Sequence, residues 1–275
     1  MKQPIHILTL AGILTLGFSG TVFAGGFGFE QSPIDIRPEF SVYSGSLPAL
    51  NYNYGPVDLH VVNTGSPDEH ASIKGNVTSG TPNLVLSGTT YNLLQFHFHT
   101  ESENLKEGYQ YPMELHLVHQ KVGSTGYDDL LVTGLWIEEG AHNSVLDEMF
   151  DNLPPTSADT YDITGFALDD LLPSDLTSYR FDGSLTTPPF TEGVQWIMLD
   201  QPLFMDHDQI KAFHDIFHEG NTRAAQDLHG RIILTDNPNF VPEGSYSLGL
   251  FAMALVSLGV AGARRARSPR ASLSA

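Results

Sequence analysis

The chain has 275 residues, is 41% hydrophobic and carries a formal net charge of −19. Such acidity disfavours nucleic acid as a partner, because binding to phosphates needs clustered lysine and arginine. The chain contains no cysteine, which excludes disulfides, thiolate nucleophiles and zinc sites built from thiolates. Any metal site must therefore use histidine, aspartate or glutamate.

Residues 1–24 have the pattern of a secretory signal peptide. Lys2 precedes a long apolar run, and Val22 and Ala24 supply the small-residue pattern of a cleavage site. We predict cleavage near Ala24 and an exported domain over residues 25–240, located in the periplasm or at the cell surface. A buried N-terminal helix is the alternative.

The residues between 25 and 240 show no repeat and no low-complexity linker, so we expect a single domain. Short alternating segments that end in Gly, Asn or Asp are typical of β-strands. These segments are VDLHVVNTG, NLVLSG, LLQFHFHT, MELHLVHQKVG, LLVTGLWIEEG and VQWIMLD. Helical patterns occupy residues 141–154 and residues 206–221, the latter with Asp206 as N-cap and Gly220 past its end. The pattern indicates a mainly β (α+β) fold with a few surface helices.

Two histidines in the first of the central predicted strands form part of a candidate metal site. Gln95, His97 and His99 occupy alternate positions and therefore share one face of the strand. The intervening apolar residues are expected to face the core; they are Leu94, Phe96 and Phe98.

The next predicted strand repeats this arrangement. Glu114, His116 and Val118 share one face, and His119 lies on the other. Two neighbouring strands can thus present three imidazoles to one point, which leaves the fourth position of a zinc ion for water, as in catalytic sites. Gln95 and Glu114 can accept hydrogen bonds from the second ring nitrogens. Hydrogen-bonded core histidines without a metal are the alternative.

Three further histidines, His207, His214 and His218, lie on the later predicted helix. His214 and His218 are four residues apart and can in principle clip a surface metal ion, but the pattern favours a solvated helix face.

Residues 241–275 form a distinct C-terminal segment. No charge lies between Glu243 and Arg264, which is long enough for a membrane-spanning helix, and a cluster of arginines follows. The segment resembles the PEP-CTERM sorting tails of bacteria, although its VPEG sequence lacks the second proline. The resemblance implies processing by an exosortase-type enzyme, and a permanent single-span anchor is the alternative. In both cases the domain contacts the membrane only through this tail.

Four separated motifs resemble those of the alpha-class carbonic anhydrases, particularly the exported bacterial ones. They are QSPIDI at residues 31–36, QFHFH at 95–99, MELHLVH at 113–119 and GSLTTPP at 183–189, within a resemblance that spans about residues 31–234. The resemblance implies one domain around a large twisted, mostly antiparallel sheet, with zinc at the bottom of a conical cleft. It also implies the reversible hydration of carbon dioxide to bicarbonate and a proton.

The resemblance assigns roles to individual residues. His97, His99 and His116 would bind Zn²⁺; Thr186 would orient zinc-bound hydroxide, and Glu103 would hold Thr186. Gln95 and Glu114 would hold the ligand histidines. The pocket for carbon dioxide and bicarbonate would consist of Val118, Val132, Leu185, Thr187, Val194 and Trp196.

The position of the proton-relay histidine of the family stays open. In the family this residue directly follows an N-x-G strand end, but here the sequence is NTGSPDEHASI. Either Ser66 takes the position and the chain lacks a relay, or residues 66–69 are an insertion and His70 takes it. Turn-forming residues before His70 favour the insertion, and an imidazole exchanges protons near neutral pH.

Three positions depart from the family pattern. Phe190 stands where many bacterial relatives have cysteine, Asn104 replaces a common histidine, and Phe181 replaces a tyrosine. Two other classes of function are alternatives to the enzyme. A non-catalytic binding module would lack a zinc histidine, and a zinc esterase or peptidase would want a carboxylate base such as that of HExxH, which the sequence does not contain.

Overall fold

The computed structural model describes residues 29–65 and 70–239. The predicted signal peptide, the predicted C-terminal tail and Ser66 lie outside these residues. None of the helices in the described part of the chain is long and apolar enough to cross a bilayer.

A single mixed sheet of 12 strands organises the domain. Its strands are β2 (Ser41–Tyr43), β3 (Asn51–Asn53), β4 (Pro56–Asn63), β5 (Ile73–Ser79), β6 (Asn83–Leu86), β7 (Thr89–His99), β9 (Met113–Lys121), β10 (Leu130–Glu139), β11 (Thr160–Ala167), β12 (Ser178–Ser184), β13 (Glu192–Met205) and β14 (Ile233–Thr235). The main order is β11-β4-β5-β7-β9-β10-β13-β12-β14-β2, and β6 joins β3 to β7. A small separate parallel pair consists of β1 (Asp35–Ile36) and β8 (Leu105–Lys106).

Most neighbouring strands of the large sheet are antiparallel; the parallel pairs are β10 with β13 and β14 with β2. The prediction of a mainly β domain around a large, mostly antiparallel sheet is therefore confirmed.

The two predicted helices differ in outcome. Helix α2 (His207–Ile216) begins at Asp206, whose side chain accepts from the Gln209 N–H while the Gln209 side chain accepts from the Asp206 N–H. This capping box confirms the predicted N-cap.

The predicted helix over 141–154 is wrong in length: it consists of a 3₁₀ turn, Ser144–Leu146, and the short helix α1 (Asp147–Phe150). Its buried apolar residues, Leu146, Met149 and Phe150, cover little more than one helical turn, so packing stabilises only that turn.

The two faces of the sheet bury different hydrophobic clusters. Phe96 and Phe98 of β7 pack into the larger cluster, which α2 covers with Phe213. The smaller cluster lies on the opposite face and contains Val118 and Trp196. Because side chains alternate along a strand, residues 97, 99 and 116 point to the side of the smaller cluster.

One predicted core residue faces solvent instead. Leu94 is 42% exposed, whereas its neighbour Leu93 is 3% exposed and belongs to the core. The pairing of β7 with β9 shifts register between Leu93 and Gln95, and this bulge reverses the alternation at that point. The inward orientation predicted for Leu94 was therefore wrong, while that of Phe96 and Phe98 is confirmed.

Candidate active site

Three buried imidazoles meet where β7 and β9 lie side by side. His97 pairs directly with His116 in the antiparallel register, and His99 follows two residues along β7 on the same face. Each of the three offers one ring nitrogen, and these nitrogens lie within 4.8 Å of one another. The strand alternation thus brings the three predicted ligands to one point.

Two of these imidazoles are oriented by the predicted neighbouring side chains. His97 Nδ1 lies 2.9 Å from Gln95 Oε1, and His116 Nε2 lies 2.6 Å from Glu114 Oε1. Because both oxygens are acceptors, these ring nitrogens carry the protons. His97 Nε2 and His116 Nδ1 are therefore the nitrogens left for a metal.

The third imidazole is oriented by a group that the sequence does not reveal. His99 Nδ1 donates to the backbone carbonyl of Asn221 at 2.9 Å, although the two residues are far apart in the chain. A backbone acceptor on a distant loop leaves no pattern in the sequence. The Asn221 side chain also accepts from the Thr100 N–H at 2.8 Å and donates to the Ala71 carbonyl at 2.8 Å, which fixes that loop against the end of β7 and the segment before β5.

Asn104 holds the buried carboxylate of Glu114. The backbone N–H and the side-chain amide of Asn104 both donate to Glu114 at 2.7 Å. Burial raises the pKa of Glu114, and these donors from Asn104 oppose that shift. The asparagine that departs from the family pattern therefore still supplies two donors to the partner of His116.

The electrostatics of the three imidazoles suit metal binding. Burial lowers the pKa of His99 to about 4 and that of His116 to about 3, and burial also lowers the pKa of His97 well below its usual value. All three are therefore neutral near pH 7, the form that binds zinc. His99 Nε2 is buried and has no hydrogen-bond partner in the described part of the chain. A neutral His₃ set with the second nitrogens already occupied fits a zinc ion with an open coordination position.

Glu103 lies against the same three-histidine cluster. Its Oε2 is 3.5 Å from His99 Nε2, and its Oε1 accepts from the Arg223 backbone N–H at 2.9 Å. Burial raises the pKa of Glu103, while His99 and the Thr186 hydroxyl lower it. Glu103 Oε2 is buried and has no hydrogen-bond partner among the described residues, so it remains available as an acceptor.

A cleft opens above the histidines, and its wall is apolar on one side. Five of the six residues predicted for the substrate pocket line it: Val118, Val132, Leu185, Thr187 and Trp196. The sixth, Val194, is 1% exposed and packs beneath this surface with Trp196. The other side of the wall is polar and includes His70, Ser72 and Lys74, of which the last two carried no signal in the sequence.

The remaining histidines do not join the cluster. His119 is buried on the opposite face of β9, where its Nε2 lies 2.7 Å from the Tyr54 hydroxyl. His214 and His218 are exposed on and just after α2. Within residues 29–65 and 70–239, the cluster of His97, His99 and His116 is the single group of three metal-ligating side chains that converge.

The fold and the site define a β-sheet protein with a three-histidine metal centre at the floor of a cleft. The sequence profile described as "Eukaryotic-type carbonic anhydrase" matches residues 23–237. The chain is 37% identical over 215 residues to a carbonic anhydrase of Pectobacterium carotovorum, with 75% of this chain and 80% of the relative covered.

Two solved structures are similar as well. The alpha-carbonic anhydrase of Thermovibrio ammonificans, in complex with the inhibitor sulfanilamide, has a TM-score of 0.68 at 32% identity and covers 75% of this chain and 87% of its own. The alpha-carbonic anhydrase of Photobacterium profundum has a TM-score of 0.67 at 34% identity, with 75% and 89% covered. The chain belongs to the carbonic anhydrase family, in its alpha class.

Proposed function

We propose that the protein is a zinc-dependent carbonic anhydrase, a lyase that interconverts carbon dioxide with bicarbonate and a proton. One observation carries the proposal: three neutral imidazoles converge, and the second nitrogen of each is held by an oxygen acceptor. A non-catalytic module on this fold would not need to keep that arrangement.

His97 Nε2, His99 Nε2 and His116 Nδ1 would hold the zinc ion. The bound ion supplies Lewis acidity that favours deprotonation of water near neutral pH, an effect already established for carbonic anhydrases as a class. The protein contributes the ligand geometry through Gln95, Glu114 and the Asn221 carbonyl, which fix the three ring orientations.

Thr186 and Glu103 would orient the nucleophile. A hydroxyl carries a single proton, so a Thr186 that donates to Glu103 can only accept from a group in the cleft. This arrangement selects an oxygen that still carries a hydrogen and turns its free lone pair towards the substrate carbon. The Arg223 N–H donates to Glu103 Oε1, which leaves Oε2 to accept from Thr186.

The apolar wall would receive carbon dioxide. This substrate is small, linear and weakly polar, so contact with Val118, Val132, Leu185 and Trp196 does not leave a polar group unpaired. Thr187 would border the bicarbonate position, and Val194 would support Trp196 from below. His70, at the polar side of the cleft, would pass the released proton to solvent.

Export of the domain forms a further part of the proposal. The apolar segment before Ala24 would direct export, residues 25–240 would fold as the catalytic domain, and residues 241–275 would act as a sorting or anchoring tail. A processing enzyme of the exosortase type would cleave that tail, which places the domain in the periplasm or at the cell surface. We expect a chain ending at residue 240 to be soluble and active, and loss of folding in that chain would contradict this boundary.

Zinc analysis of the purified protein combined with a stopped-flow assay of carbon dioxide hydration tests the activity. We expect one zinc per chain and hydration well above the buffer rate, while a zinc-loaded protein without such activity would refute the proposal. Thr186→Ala should keep its zinc and slow hydration about a hundredfold, since one preorganised polar group is lost. An unchanged rate in both Thr186→Ala and Glu103→Gln would refute the roles given to this pair.

A further inference from the structure

Lys74 projects into the cleft from the strand next to the ligand histidines. Strand β5 pairs with β7 so that Lys74 lies directly opposite His97. Its neighbours Ile73 and Gly75 are buried, whereas Lys74 itself is half-buried and lines the same cleft as Gln95 and His97. The alternation along β5 thus places the Lys74 side chain in the cleft that the ligand histidines line.

Lys74 differs from the other described lysines in having no carboxylate beside it. The other three form ion pairs: Lys106 with Asp200, Lys121 with Asp129 and Lys211 with Asp215. Within residues 29–65 and 70–239, the Lys74 ammonium forms no ion pair and no hydrogen bond. A half-buried ammonium without a partner is less well solvated than one on the surface, so a bound anion would stabilise it.

A second unused donor faces the same cleft. Gln95 Oε1 accepts from His97 Nδ1, and this fixes the orientation of the side-chain amide. The NH₂ group of Gln95 therefore points away from His97, and within the described residues it donates to no protein acceptor. Two side chains on neighbouring strands thus line the same cleft with N–H donors, one of them charged, and neither donor has an acceptor among the described residues.

We infer that Lys74 and Gln95 form a binding site for a small oxyanion in the wall of the cleft. The site depends on the proposed function only for the identity of that anion, which is bicarbonate, the charged product of carbon dioxide hydration. A protein with a net charge of −19 repels anions over most of its surface, so an unpaired cation in the cleft supplies the local attraction that bicarbonate needs. In this scheme Lys74 and Gln95 hold the anion at the polar side of the cleft, in addition to the bicarbonate position that Thr187 borders, and take no part in the bond that forms.

Titration of the ¹⁵N-labelled, zinc-loaded protein with bicarbonate, followed by the chemical shift of the Gln95 side-chain amide in ¹H–¹⁵N spectra, tests the site, because this shift reports occupancy at equilibrium whether or not carbon dioxide exchange is catalysed. Lys74→Met should weaken binding about tenfold, the loss expected for one hydrogen bond to a charged group. Lys74→Arg should bind nearly as well as the wild type, because it keeps the charge. The control is Lys211→Met, which removes the same charge from the surface and should leave the dissociation constant unchanged; zinc content is measured in every variant.

Equal dissociation constants for Lys74→Met and Lys211→Met at full zinc content would overturn the inference. Equal weakening in Lys74→Met and Lys74→Arg would overturn it too, because the effect would then not follow the charge. The two proposals fail separately: a protein that binds bicarbonate through Lys74 but hydrates no carbon dioxide refutes only the activity. An active enzyme whose dissociation constant for bicarbonate is unchanged in Lys74→Met refutes only the site.

Discussion

The guanidinium carbon of Arg223 lies 3.9 Å from the centroid of the Phe190 ring. Arg223 also donates through Nη1 to Gln31 Oε1 at 2.9 Å and to the Ser32 carbonyl at 2.6 Å. Its backbone N–H holds Glu103. A single arginine thus connects the Phe190 turn, which follows Thr186 and Thr187, with the carboxylate of Glu103.

Removal of the Phe190 ring should loosen this turn. We expect Phe190→Ala to lower the free energy of unfolding by about 1 kcal/mol through the lost cation–π contact, and to reduce kcat/KM for hydration. Phe190→Tyr keeps the ring and should behave like the wild type. Urea unfolding and stopped-flow kinetics measure both effects, and a fully stable, fully active Phe190→Ala would show that the contact holds nothing in place.

Loss of any one imidazole should remove the metal and the activity together. His116→Ala leaves only two neutral ligands, which hold zinc poorly, so zinc per chain should fall close to zero after dialysis. His214→Ala, on the exposed face of α2, should keep full zinc and full activity. Elemental analysis of both variants decides the matter, and full zinc in His116→Ala would contradict the ligand assignment.

Asn104 should tune zinc affinity through Glu114. In Asn104→Leu the carboxylate loses its side-chain donor, and we expect zinc to bind about tenfold more weakly, the loss typical of partners of metal ligands. Asn104→His restores a side-chain donor and should bind zinc more tightly than Asn104→Leu. Competition with a chelator measures the affinities; equal values for the leucine and histidine variants would exclude this role.

The sequence was sufficient for those features that depend on local alternation. His97, His99 and His116 could be placed on one face because strand residues alternate, and Asp206 could be recognised as an N-cap from the residues around it. Leu94 was misplaced because a register shift, which has no sequence mark here, reverses the alternation. The Asn221 carbonyl could not be predicted at all, because any residue supplies that group and only the tertiary fold brings it to His99.

The same reasoning explains why Lys74 carried no signal. The segment IKGNVTS of β5 contains few apolar residues, so its alternation is too weak to show which side chains face the cleft. The position of Lys74 in the cleft follows only from the pairing of β5 with β7. The prediction of a helix over 141–154 was wrong for a different reason. The buried apolar residues of this segment are spaced for only about one helical turn, which is the length of α1.

The imidazole of His142 should make stability depend on pH. Its Nδ1 lies 2.6 Å from Asp206 and its Nε2 lies 2.7 Å from Asp147, and hydrogen bonding, chiefly to Asp206, raises its pKa above 6.5. Because the pKa of His142 is raised in the folded protein, the stabilisation by its protonated imidazole is fully present below pH 6.5. It is lost as the pH rises through the pKa of the folded state. His142→Gln should therefore lower Tm more at about pH 5.5 than at about pH 9.

The matched control for this prediction is His218→Gln, which changes an exposed histidine near the end of α2. Its effect on Tm should be small at both pH values. A His142→Gln variant whose Tm deficit stays constant, or grows with pH, would show that the two carboxylates do not stabilise the protonated imidazole.

His70 should set how fast protons leave the cleft. Its ring lies at the polar side of the cleft and contacts Phe190 edge-on, with ring centroids 5.9 Å apart. Its backbone is left-handed, with φ of +54°, so asparagine is a better replacement than alanine because it tolerates that conformation. We expect His70→Asn to keep its zinc and to lower kcat on the order of tenfold or more in dilute buffer, since an internal proton carrier is lost.

Concentrated imidazole buffer should restore the kcat of His70→Asn, because a free imidazole then performs the transfer that the side chain no longer provides. His214→Ala should show neither the loss nor the rescue. Stopped-flow hydration assays at low and high imidazole give the comparison. Equal rates for wild type and His70→Asn in dilute buffer would remove His70 from the mechanism and favour the alignment in which Ser66 takes the relay position and no side chain carries the proton.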